Sequence, residues 1–91
     1  MSMSKLALEN WLKFEVRKMN KDMTFTVIDF EPHEGIKKGF VIIRFVSKMF
    51  ASMNQTIRHK VMEDIINNQM KFVSRLYVFM HEEVTPEEII N

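Results

Sequence analysis

The chain contains no cysteine, so it can form no disulfide and supply no thiolate nucleophile or metal ligand. Secreted domains of this size commonly depend on such staples. Glycine and proline are scarce, two of each, which argues against long flexible linkers. Neither common Gly-rich phosphate loop is present, and neither is an HExxH motif or a paired-cysteine metal signature. No apolar run approaches the ~20 residues that span a bilayer. No charge of one sign dominates either: 13 Lys and Arg face 12 Asp and Glu, a formal net charge of +1. So weak a field does not by itself call for nucleic acid.

With 46% hydrophobic and 27% charged residues, the chain has the balance of a globular protein and not of a disordered one. Its 91 residues fit a single domain over 1–91, with a core of thin margin. The nine methionines are pliable core fillers, and genome composition is their plainest account. Met1 to Lys18 lacks the continuous apolar stretch of a secretory signal. It is amphipathic and carries Lys5, Lys13, Arg17 and Lys18, as a mitochondrial presequence would, but Glu9 and Glu15 argue against that. The cytoplasm is the expected compartment.

The same stretch reads as a first helix, capped by Ser4 and running to about Met19. Leu8, Trp11, Leu12 and Met19 share one face with Val16 beside them, and Trp11 reads as a core anchor. The run from Thr24 to Phe30 is rich in β-branched and aromatic residues and predicts a strand. Pro32 and Gly35 mark a loop, and Phe40 to Val46 predicts a second strand, antiparallel to the first. Met49, Phe50 and Met53 suggest a short helical turn. Asn54 caps the next helix, roughly Gln55 to Asn67, whose buried stripe is read as Ile57, Val61 and Ile65, widened by Met62 and Ile66. Phe72 to Met80 predicts a third strand, with Leu76, Val78 and Met80 on one face. Thr85 to Glu88 has the cap, proline and third-position Glu of a helix start. A helical crossover makes strand three parallel to strand two. The expected fold is therefore α+β: a three-stranded mixed sheet with helices packed on one face.

No catalytic set stands out, so no enzyme and no small-molecule substrate are expected. Glu82, Glu83, Glu87 and Glu88 read as a solvated acidic surface around a helix start. Of the three histidines, His33 lies in the loop between strands one and two, at the end where strands two and three begin. His81 lies at the far end of strand three, on the order of 25 Å away at ~3.3 Å per residue. His59, in the first turns of its helix, falls on the His81 side. Arg44, Lys48, Arg58, His59 and Lys60 make a candidate basic patch for nucleic acid, with a helix N-terminus to help hold phosphate. A mixed-charge surface is the plainer reading of those residues. Phe50 to Met53 stands where a KH domain would have its Gly-x-x-Gly clamp.

One ordered set of residues resembles the BolA family: Val46-Ser47, Phe50, Ile57-Arg58-His59-Lys60-Val61 and the Thr85 to Glu88 turn. The resemblance covers nearly the whole chain. It implies an αββααβ, class II KH-like fold. It also implies a non-catalytic adaptor that binds a monothiol glutaredoxin in iron-sulfur cluster handling or iron regulation. The shared cofactor would be a [2Fe-2S] cluster, with thiolates from the glutaredoxin and from glutathione. Such adaptors contribute a His near the start of strand three and often a ligand from the loop between strands one and two. His33 falls in that loop. Aligned from the strand, the strand-three position is Ser74; aligned back from Thr85, it is Tyr77. Neither is a histidine, so His33 is the candidate cluster ligand carried over. Some bacterial members are DNA-binding regulators, which makes nucleic acid the alternative partner.

Overall fold

The computed structural model describes residues 3–89; residues 1, 2, 90 and 91 of the expected domain lie outside the described residues. The first helix, α1, spans Lys5–Met19. Ser4 caps it, its side chain accepting the Ala7 N–H at 3.1 Å. Leu8, Leu12 and Val16 recur every four residues and are buried, while Trp11 and Met19 pack only partly against the core. Strands β1 (Thr24–Glu31) and β2 (Gly39–Val46) form the antiparallel hairpin, with a bulge between Val27 and Asp29. A 3₁₀ turn at Lys48–Ser52, capped by Ser47, seats Phe50 in the core.

Helix α2 (Gln55–Gln69) starts at Asn54, whose side chain accepts the Ile57 N–H at 2.9 Å. Its buried face is Arg58, Met62 and Ile66, and Ile57 is exposed. The expected stripe of Ile57, Val61 and Ile65 is thus turned by one residue. An inward arginine occupies the position that hydrophobicity alone assigned to solvent.

The larger correction concerns strand three. Lys71–Leu76 is a short helix, α3, and strand β3 runs Tyr77–Val84. Met70, Val73 and Tyr77 are all buried, a spacing of three and four that a helical approach satisfies and an alternating strand does not. On β3 the inward residues are Tyr77, Phe79, His81 and Glu83, while Val78 and Met80 stand on the open side. This reverses the expected alternation. It also brings Glu83, read as solvated, to 2% exposure.

The sheet order is β1-β2-β3, and β3 pairs parallel to β2 from Gly39↔Tyr77 to Val46↔Val84. Alternate β2 residues Val41, Ile43 and Phe45 are completely buried under the helices. The fold is α+β with a mixed three-stranded sheet. The last element, α4 (Pro86–Ile89), is a single turn. Among the described residues, no helix is long and apolar enough to cross a membrane.

Gly39 fixes how β1, its loop and β2 meet. A Cβ there would lie 2.2 Å from the Glu31 carbonyl oxygen and 2.6 Å from the His33 nitrogen, both backbone atoms that cannot swing aside. Gly35 instead has φ +55 with open space around it. Gly39→Ala is therefore expected to destabilise the domain by at least ~3 kcal/mol. Gly35→Ala should cost about 1–2 kcal/mol from left-handed strain alone. Urea unfolding of both variants checks this order, and equal losses would refute it.

Candidate functional site

Two places bring chemically competent side chains together. The first is the end of the sheet where β2 and β3 begin. Here the His33 ring meets Tyr77 edge-on, with centroids 5.5 Å apart, and Phe30 packs on the same tyrosine at 5.7 Å. His33 Nδ1 and the Tyr77 hydroxyl are both buried without a hydrogen bond of normal geometry. Burial pushes the Tyr77 phenol above its ordinary pKa, and the nearby His33 backbone offsets this in part. Ser74 stands in α3, its hydroxyl donating to the Lys71 carbonyl. Tyr77 is thus the residue at the start of strand three.

The second place lies where α2 crosses β3. His59 and Glu63, four apart, share one face of α2. His81 and Glu83, two apart, share the inward face of β3. The two imidazoles stack with centroids 4.0 Å apart and planes 11° from parallel. At one end Glu83 Oε1 meets His59 Nδ1 at 3.2 Å, and Oε2 meets His81 Nδ1 closely. At the other end Glu63 Oε2 lies 3.5 Å from His59 Nε2 and 3.4 Å from His81 Nε2. The Glu83 and His81 side chains are buried, whereas His59 and Glu63 are half exposed. An open groove of about 640 Å³ runs in front of them.

Because β3 begins at Tyr77, only about 13 Å of strand separates Tyr77 from His81. The two sites are closer than the expected 25 Å, yet too far apart to share an ion. His59 does lie on the His81 side.

The residues of the candidate basic patch do not present a common cationic face. Arg58 is buried: its Nε donates to the Met53 carbonyl at 2.9 Å, and its Nη1 to Glu88 Oε1 at 2.7 Å and the Glu83 carbonyl at 3.5 Å. Arg44 pairs with Glu82 at 2.6 Å. Lys60 pairs with Asp64 at 2.9 Å, which raises the pKa of its amine. Lys48 is exposed. His59 is engaged with His81 and the two glutamates. The sequence alone did not single out Glu63, and it placed Glu83 on a solvated acidic surface. The signals for them were the four-residue spacing of His59 and Glu63 and the two-residue spacing of His81 and Glu83. Neither acts until the helix is laid over the strand.

Comparison with family models, with curated proteins and with solved structures finds no match to this chain. The BolA-like reading therefore rests on the chain's own residues.

The Arg58–Glu88 pair ties α4 to α2. The Glu88 carboxylate also accepts the Thr85 N–H at 2.6 Å, closing the capping arm expected of Thr85 to Glu88. The Thr85 amide first, and then Arg58, hold the Glu88 carboxyl below its ordinary pKa. A depressed folded-state pKa gives stability that is complete above the unfolded value of ~4.3 and is lost as pH falls toward the folded one. The gap in melting temperature between the parent chain and Glu88→Gln should therefore be full near neutral pH and close as the solution is acidified below ~4.3. A gap independent of pH would refute this.

Proposed function

We propose that this chain is a non-catalytic adaptor of the BolA-like, KH-like αββααβ kind, which docks a monothiol glutaredoxin in iron-sulfur cluster handling or iron regulation. One observation carries the reading. His33 from the β1–β2 loop and Tyr77 from the start of β3 meet at one sheet end, and both carry buried polar atoms that lack a hydrogen bond of normal geometry. Those two segments are the ones from which the resemblance draws ligands. The helix, hairpin, helical crossover and parallel third strand follow one another in the order that the resemblance implies.

The donor set fits a cluster only in part. An imidazole suits iron. A phenol whose proton is held more firmly by burial is a poor substitute for a second imidazole or a thiolate. In this reading His33 is the chain's single ligand to a [2Fe-2S] cluster, and thiolates come from the glutaredoxin and glutathione. The nucleic-acid alternative finds less support, because Arg58 points inward and Arg44 and Lys60 are each paired with an acid.

Mixing the chain with a cluster-loaded monothiol glutaredoxin is expected to yield a heterocomplex on size-exclusion chromatography with an altered visible spectrum. His33→Ala should form the complex but lose most of the spectral change. Absence of both complex and spectral change overturns the adaptor reading. A complex whose spectrum ignores His33→Ala removes His33 from the cluster.

A further inference from the structure

Where α2 crosses β3, two histidines and a glutamate bring metal-ligating atoms together, independently of any glutaredoxin. Glu83 is buried, with its side chain 1% exposed, and its carboxylate faces only the two imidazoles; no Lys or Arg pairs with it among the described residues. An ionised carboxylate only accepts hydrogen bonds. Where an imidazole is neutral, a carboxylate at Nδ1 favours the tautomer with the proton on Nδ1 and the lone pair on Nε2. Metal-binding histidines are commonly oriented in this way by a carboxylate behind them.

Both lone pairs lie toward Glu63. The Glu63 Oε2 distances of 3.5 and 3.4 Å are too long for charge-assisted hydrogen bonds, which run about 2.7–2.9 Å. They match the edge of a tetrahedron whose metal–ligand bonds are ~2.0–2.1 Å, about 3.3–3.4 Å. One ligand atom from each of His59, Glu63 and His81 lies within 4.8 Å of the others. The charge agrees with this. Two carboxylates, one of them buried, flank the two imidazoles, and a divalent cation held by neutral imidazoles would offset their negative charge. His81 is held with its side chain 4% exposed, whereas His59 is 51% exposed, and metal binding requires its ring to tilt out of the stack so that the two Nε2 lone pairs converge.

The geometry points to a divalent transition-metal site formed by His59, Glu63 and His81, with Glu83 orienting both imidazoles from behind. Two imidazoles and one carboxylate suit Zn²⁺. The fourth position faces the groove bordered by Gln55, Thr56 and Lys60, so the ion keeps an exchangeable site for water or an anionic ligand.

The chain is stripped with a chelator, and ZnCl₂ is titrated in competition with a chromophoric chelator. The expected result is one tightly held zinc ion per chain. At a hundredfold excess over Kd, the melting temperature should rise by on the order of 10 °C. His59→Ala and Glu63→Gln change half-exposed side chains, so both should keep the parent circular dichroism spectrum while losing at least about tenfold in affinity. Glu83→Gln should lose about 10–100-fold through misoriented imidazoles. Lys60→Ala borders the groove without supplying a ligand and should bind like the parent. The inference is overturned if the folded parent takes up no zinc. It is also overturned if folded His59→Ala and Glu63→Gln bind as tightly as the parent.

Discussion

The parallel pairing of β2 with β3 is the constraint on which the rest of the molecule depends. Parallel neighbours cannot be joined by a tight turn, so the chain must return across the sheet between Val46 and Tyr77. The 3₁₀ turn, α2 and α3 make that return, and their inner faces roof the sheet. The same register sets Tyr77 against Gly39, beside the loop that holds His33. It sets His81 and Glu83 against Ile43 and Phe45, beneath the first half of α2. Both candidate sites follow from one ladder.

Arg58 and His59 show how one step along a helix divides two tasks. Arg58 turns inward and joins α2 to the last turn of the chain through Glu88 and two backbone carbonyls. Arg58 is buried while Glu88 is 41% exposed, so removing Glu88 would leave the guanidinium with backbone carbonyls alone, and the arginine acts in folding. His59, rotated 100° further around the helix, leans over β3 and stacks on His81. The adjacent pair looked like one motif, yet its members serve different elements. Arg58 turns inward, His59 is engaged with His81, and Arg44 and Lys60 are each paired with an acid, which explains why five basic side chains leave no continuous cationic surface.

Much of the fold was legible from local chemistry. Ser4 and Asn54 cap their helices as their side chains suggested, Glu88 accepts the Thr85 N–H, and the hairpin and crossover pair as chain connectivity requires. The third strand's presence and parallel direction were legible, but its bounds and inner face were not. Phe72 to Leu76 has strand-like composition, but burial of Met70, Val73 and Tyr77 together favours a helical approach. That five-residue displacement reversed the alternation of the following strand. It hid His81 and Glu83 beneath the helices and left Val78 and Met80 outside.

By itself the sequence determined the element types over most of the chain, the strand directions and the end of the sheet at which each histidine lies. Caps, turns and crossover rules are local, and they act before any tertiary contact forms. Only the tertiary structure decided which residues meet. A helix rotated by one position and a strand moved by one register each exchange an inner face for an outer one, and packing settles both. His59 and Glu63 on one element, and His81 and Glu83 on another, therefore became a site only once α2 was laid over β3.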